Sequence, residues 1–170
     1  MKTTALKLYS PGFAEMRTWL AAAAFVGANI LLPQLVHLLP QGGATWLPIY
    51  LFTLVAAYKY GWKAGLLTAL LSPTINHLLF GMPAAGVLPA ILVKSSLLCF
   101  AAAYAAHRWQ KASLVLLLGV VVAYQLAGSL FEWAWTGNLY NALQDFRLGI
   151  PGMLLQIFGG WWLLNRLLRK

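Results

Sequence analysis

Six long apolar segments constrain the fold of this chain more than any other feature. They lie at residues 17–39, 47–60, 62–80, 84–106, 112–135 and 150–168. A helix of about 20 apolar residues crosses the hydrocarbon core of a bilayer. Only 9% of the residues are charged, against about 25% in soluble domains, so a water-soluble fold would expose apolar surface on every side. The sequence therefore predicts an all-α integral membrane protein, with six transmembrane helices in a single domain over residues 1–170.

The basic residues predict how these spans are oriented. With the N-terminus in the cytoplasm, ten of the twelve Lys and Arg residues fall in or next to cytoplasmic stretches: Lys2, Lys7, Arg17, Lys59, Lys63, Arg108, Lys111, Arg166, Arg169 and Lys170. Cytoplasmic loops of membrane proteins are enriched in Lys and Arg. Both termini are therefore predicted to be cytoplasmic. The net charge of +9 is then explained by anionic lipid as the partner, and no nucleic acid is expected to bind.

Proline marks one half of the predicted bundle. Seven of the eight prolines fall in its outer half or outer loops: Pro33, Pro40, Pro48, Pro73, Pro83, Pro89 and Pro151. Proline removes a helical hydrogen bond, and irregular backbone at membrane depth survives only against protein or a water-filled cavity. A cavity is therefore expected in the outer half, and regular helix in the inner half.

Ionisable residues inside the spans are the first candidates for function. Lys94 lies about ten residues, or roughly 15 Å, into the fourth span. A lysine at the centre of a span costs about 2.5–3.5 kcal/mol, so it usually faces a cavity or a partner. Glu132 is a candidate partner if the fourth and fifth helices are adjacent, whereas snorkelling of Lys94 to the surface is the alternative. Asn76 and His77 follow Pro73 by one turn, and they equally fit the wet end of a kinked helix.

Small residues form a smooth face on the first span and a stripe on the third. Ala21, Ala24 and Ala28 share one face of the first span, and Gly61, Gly65 and Ala69 form a stripe in the third. Such faces permit close helix–helix contact. Docking of a partner helix and packing within the chain both remain open for the alanine face.

These features together resemble the substrate-binding S components of energy-coupling factor (ECF) transporters. The local patterns are GWKAGLLTALLSPTINHLLFGMP, at residues 61–83, and Ala24-x-x-x-Ala28. The resemblance implies a subunit for micronutrient (vitamin) uptake in the cytoplasmic (inner) membrane of a prokaryote, with a coupling subunit and ATPases on separate chains. It implies docking of the coupling subunit at the alanine face. It also implies solute contacts at Asn76, His77, Lys94, Glu132, Trp133, Asn138, Tyr140 and Arg147.

The identity of the solute stays open at this level. Cobalamin ranks first among named vitamins, because the imidazole of His77 could ligate the cobalt of a corrinoid; His77 is a metal ligand only in that case. The cationic surplus of Lys94 and Arg147 over Glu132 equally suits a carboxylate-bearing vitamin. No intrinsic cofactor is expected. The aromatic residues Trp133 and Tyr140 also fit an interfacial belt.

Two other classes of function compete with transport. An intramembrane enzyme would use His37, His77 and Glu132, although no catalytic motif such as HExxH or Gly-x-Ser-x-Gly occurs. A structural membrane subunit would need no outer cavity. The sequence favours a transport subunit that is not itself an enzyme.

Overall fold

The computed structural model describes Leu8 and residues 11–168, and all regular secondary structure in this part of the chain is helical. The elements are α1 (Met16–Val36), α2 (Gly42–Trp46), α3 (Ile49–Phe80), α4 (Leu88–Trp109), α5 (Leu114–Thr136), α6 (Leu139–Ala142), α7 (Gln144–Arg147), α8 (Ile150–Leu154), a π-helical turn (Leu155–Gly159) and α9 (Gly160–Leu168). The four short helices α2, α6, α7 and α8 belong to connections or to the start of the last helical segment, and the longer helices form the bundle.

The long element α3 is a helical hairpin that reverses at Gly61. This residue has φ 82° and ψ 174°, a conformation essentially restricted to glycine. Ala57 and Gly65 would be about 12 Å apart along a straight helix, yet a Cβ built on Gly65 would lie 2.5 Å from the Cβ of Ala57. The boundary predicted between segments 47–60 and 62–80 falls at this turn.

The glycine stripe of α3 serves both this reversal and the packing of α4. A Cβ on Gly65 would also lie 2.8 Å from the Sγ of Cys99 on α4. Ala69 is fully buried. The stripe therefore allows the close helix contact expected of it at Gly65 and Ala69, whereas Gly61 supplies the turn.

Hydrogen bonds connect the α3 turn to neighbouring segments at one end of the bundle. The Nζ of Lys59 donates to the carbonyl of Leu167 at 2.7 Å, and the hydroxyl of Tyr58 donates to the carbonyl of Lys111. The thiol of Cys99 donates to the carbonyl of Trp62 at 3.3 Å. We call this the Gly61 end; it comprises the α3 turn, the α4–α5 connection and the carboxyl end of α9.

Among the residues that the structure describes, three helices, α1, α4 and α5, are long and apolar enough to cross a membrane. On α5 the large apolar side chains Leu126 and Leu130 point outward, while Tyr124, Gln125 and Ser129 are buried. A helix on the surface of a soluble protein has the opposite polarity. The arrangement fits a membrane-embedded protein.

The apolar segments of the sequence coincide with helices. Segments 17–39, 84–106 and 112–135 correspond to α1, α4 and α5, with ends that differ by at most four residues. The last segment, 150–168, is helical from α8 through the π-helical turn to α9. Because residues 84–87 form a turn before α4 rather than its first residues, that helix begins later than predicted.

Candidate functional site

A cavity of about 250 Å³ lies at the end of the bundle opposite the Gly61 end. It is bordered by the carboxyl end of α1, both ends of the α3 hairpin, the start of α4, the end of α5, and residues of α2 and α7. Its polar lining consists of Gln34, His37, Tyr50, Asn76, Lys94, Glu132, Gln144 and Asp145. We call it the cavity end.

The centre of the polar lining is a triad of charges. The Nζ of Lys94 lies 2.6 Å from Oε2 of Glu132 and 2.9 Å from Oδ2 of Asp145. Lys94 is only 3% exposed, whereas the side chains of Glu132 and Asp145 retain 14% and 12% of their exposure. Two charge-assisted bonds compensate for the burial of the ammonium group. The Lys94–Glu132 pair that the sequence allowed is thus present.

Asp145 was not among the predicted site residues. It belongs to the short helix α7 and meets Lys94 across 51 positions of sequence. One signal could have found it: the chain has only three acidic residues, and a buried lysine favours a carboxylate partner.

Gly128 on α5 makes room for the side chain of Lys94. A Cβ built on Gly128 would lie 2.4 Å from Cγ of Lys94, a distance that real contacts do not reach. The glycine therefore lets the aliphatic part of Lys94 cross the surface of α5. The ammonium group then reaches Glu132, one turn further along the same helix.

Amide side chains join α1 to the α3 hairpin beneath the cavity. Nδ2 of Asn76 donates to the carbonyls of Asn29 and Ser72 at 2.9 and 3.0 Å, and Oδ1 of Asn76 accepts from Nε2 of Gln34 at 3.3 Å. Asn29 in turn donates to the hydroxyls of Thr53 and Ser72. Asn76 lines the cavity, and hydrogen bonds to three other residues fix the orientation of its side chain.

The segment between α1 and α3 covers one side of the cavity. Two non-glycine residues, Gln41 and Leu47, flank α2 with φ values of 53° and 44°. Gly152 of α8 packs so closely that an added Cβ would lie 2.4 Å from the carbonyl carbon of Trp46. The connection is therefore held against α8 by backbone contact.

The remaining predicted contacts do not line this cavity. Nδ1 of His77 donates to the carbonyl of Pro83 at 2.7 Å, and Trp133 is exposed. Oδ1 of Asn138 accepts from the backbone N–H of Asn141 at the start of α6. Arg147 donates to the carbonyl of Tyr140 at 2.9 Å and lies 3.5 Å from the centre of its ring. Their part in binding a solute stays a prediction.

The fixed charge of the cavity is opposite in sign to that expected from sequence. A cationic surplus was expected from Lys94 and Arg147 over Glu132. Arg147 is instead exposed on Tyr140, and Asp145 joins the cavity. One ammonium and two carboxylates leave a formal charge of −1, with His37 counted as neutral.

Metal-ligating residues do not converge in the described part of the chain. No group of three or more His, Cys, Asp or Glu side chains there is placed to hold a metal ion. His37 and Glu132 line the same cavity, whereas His77 turns toward Pro83. The three residues of the enzyme hypothesis therefore do not share the cavity.

A second cavity, of about 490 Å³, lies at the Gly61 end. It is mainly apolar and lies between the α3 turn and α4, with lining residues that include Trp62, Phe100, Ala103, Tyr104 and Ala106. The alanine face of α1 is partly open: Ala24 is exposed, and Ala21 and Ala28 are half-buried.

The chain matches no protein-family profile, no curated protein and no solved structure.

Proposed function

We propose that this chain is a membrane protein that captures a small solute at one face of the membrane for uptake into the cell. The observation that carries the proposal is the cavity at one end of an apolar helical bundle, which is lined by charged and amide side chains. Ligand sites are typically concave, with a few convergent polar groups in a mainly apolar wall. Ionisable residues within a span are retained for function, because burying them in lipid is costly.

Six crossings with cytoplasmic termini are part of the proposal. The reversal at Gly61 divides α3 into two helices, and α8, the π-helical turn and α9 supply a further continuous segment. Among the described residues, six of the eight Lys and Arg side chains belong to the Gly61 end or to helix ends beside it: Arg17, Lys59, Lys63, Arg108, Lys111 and Arg166. The positive-inside rule then makes the Gly61 end cytoplasmic and the cavity end external.

The ECF-type S component is the transporter class that we favour. In that arrangement the alanine face of α1 (Ala21, Ala24 and Ala28) docks a coupling subunit, and ATPases on separate chains drive release of the solute inside. The open position of Ala24 supports a docking role, because close helix contact needs small side chains. The setting is the cytoplasmic membrane of a prokaryote.

The size of the cavity bears on the choice of vitamin. Its volume of about 250 Å³ lies just below the range of roughly 300–1,000 Å³ for drug-sized ligands. Cobalamin is larger than such ligands, so a vitamin built on one or two rings fits the cavity better. Cobalamin would need a larger cavity than this one. His77 would then be the candidate ligand of its cobalt.

Binding to the purified protein tests this function. The protein in lipid nanodiscs is incubated with thiamine, pyridoxine, riboflavin, nicotinate, biotin, pantothenate and cobalamin, and bound solute is detected by native mass spectrometry. We expect tight binding of one member. Absence of binding by all of them, with the protein shown to be folded, contradicts the proposal.

A matched pair of variants places the binding in the cavity. Ala90 lines the cavity, so Ala90→Leu should fill part of it and abolish binding. Ala85 lies exposed in the turn before α4, so Ala85→Leu adds the same group outside the cavity and should leave binding unchanged. Equal binding by both variants would show that the solute binds outside this cavity.

Of the alternatives, the structural subunit is opposed by a specific observation. That hypothesis needs no outer cavity, yet Asn76, Lys94 and Glu132 line one together. The enzyme hypothesis predicts instead that the substitution His77→Ala abolishes turnover.

A further inference from the structure

We infer that the solute is an organic cation with N–H donors, held by Glu132 and Asp145. The inference rests on the proposed function and specifies its substrate class. The chain has three acidic residues in all, and two of them converge on a single buried lysine. The third, Glu15, accepts a hydrogen bond from the backbone N–H of Gly12 at the other end of the bundle.

The charge balance of the triad leaves one carboxylate without a compensating cation. Lys94 neutralises one negative charge, and none of the other described Lys or Arg side chains lines the cavity. A buried charge that is not compensated is costly. A bound cation would compensate the second carboxylate, whereas a bound anion would add to the negative charge.

The unused oxygens of the triad determine how the cation is held. Lys94 bonds Oε2 of Glu132 and Oδ2 of Asp145. Within the described residues, no side chain or backbone group donates a hydrogen bond to the other oxygen of either carboxylate. Both carboxylates line the cavity, so Oε1 and Oδ1 can accept from an ammonium, amidine or protonated ring nitrogen. Such charge-assisted bonds are roughly twice as strong as neutral ones.

The rest of the wall suits a flat ring attached to the cationic group. The cavity is lined by Tyr50, Pro48 and Ile91, and by the amide of Gln144. An aromatic face also attracts a cation. A small cationic heterocycle would satisfy the carboxylates and the apolar wall together.

The experiment compares ligands that differ mainly in charge. One series consists of pyridine-3-carboxamidine, nicotinamide and nicotinate, with charges of +1, 0 and −1 on the same ring; the amidinium of the first carries N–H donors. The second is the vitamin panel above, in which thiamine is the cation. We expect the tightest ligand of the panel to be a cation, and affinity in the nicotinamide series to fall from cation to anion.

Carboxylate variants test the assignment of residues. Asp145→Asn and Glu132→Gln each make the cavity formally neutral, and each leaves Lys94 paired with the other carboxylate. We expect either change to weaken cation binding about tenfold or more, through the loss of one charge-assisted bond. Nicotinamide binding should hardly change. Glu15→Gln removes the same charge at the far end and should keep the parent's preference for cations.

Each outcome is decisive. A tightest ligand that is an anion or is uncharged overturns the inference while leaving the proposed function standing. An unchanged cation-to-anion ratio in whichever of the two carboxylate variants folds assigns the triad a structural role and also overturns it. If nothing in either set binds to folded protein, the proposed function and this inference fail together.

Discussion

At the level of single residues, the triad depends on the absence of a side chain at Gly128 as much as on the charges themselves. Lys94 reaches its two carboxylates by lying across α5 at this glycine, where a Cβ would approach Cγ of Lys94 to 2.4 Å. If the ammonium group were displaced, both carboxylates would lose the cation with which they pair. The packing and the charge balance of the triad are therefore coupled.

Gly128→Ala tests this coupling. The added methyl group should force Lys94 out of its rotamer and lower the free energy of unfolding by about 1–3 kcal/mol, as overpacking of a core typically does. Gly119→Ala is the control on the same helix, because a Cβ there meets nothing within 4 Å and alanine favours helix. Thermal unfolding in detergent measures both. Equal melting temperatures would show that the contact with Lys94 is not tight.

At the scale of the element, the α3 hairpin brings both of its ends to the cavity. Tyr50 near its start and Asn76 near its end line the same space. A continuous 32-residue helix would separate these two side chains by about 39 Å. The conformation of Gly61, with its positive φ and extended ψ, is therefore a requirement of the cavity, although the residue lies at the opposite end of the bundle.

Gly61→Ala should consequently destabilise the protein. A side chain in this region of φ and ψ costs of the order of 1–3 kcal/mol, and relief of that strain would open the hairpin. Gly27→Ala is the matched control, since Gly27 lies in α1 with nothing within 4 Å of an added Cβ. Unfolding midpoints and solute binding are the measurements. A Gly61→Ala protein as stable as the control would contradict a structural need for glycine.

At the scale of the whole molecule, charge separates the two ends of the bundle. Both carboxylates of the triad lie at the cavity end, whereas most described Lys and Arg side chains belong to the Gly61 end or to helix ends beside it. Such asymmetry is how a membrane protein encodes its orientation. It predicts that the cavity opens toward the outside of the cell.

Cysteine labelling checks this orientation. Ala85→Cys lies in an exposed turn at the cavity end, and Ala14→Cys lies exposed before α1 at the other end. A membrane-impermeant maleimide should label Ala85→Cys in intact cells, and Ala14→Cys only after permeabilisation. The parent chain is the background control, because its single cysteine, Cys99, is fully buried. The reverse labelling pattern would show that the cavity end faces the cytoplasm and would contradict the proposed topology.

How much of the site was predictable differs from residue to residue. Asn76, Lys94 and Glu132 were predicted from polarity and depth along a helix, which are local properties, and all three line the cavity. His77 was predicted on the same grounds, yet its ring turns to the carbonyl of Pro83. Adjacent positions on a helix point in directions about 100° apart, so a position along the chain does not tell which side chain faces inward.

The helical segments, their apolar character and the separation of the basic ends from the polar half follow from the order of the amino acids. Hydropathy and helix length are local quantities, and a bilayer of fixed thickness converts them directly into elements. The sign of the cavity's charge follows instead from the three-dimensional fold, because it depends on whether Asp145 or Arg147 lies in the cavity beside Lys94. Asp145 bonds Lys94 across 51 positions, and Arg147, two residues later, lies on Tyr140 instead. Contacts between distant segments fix that choice.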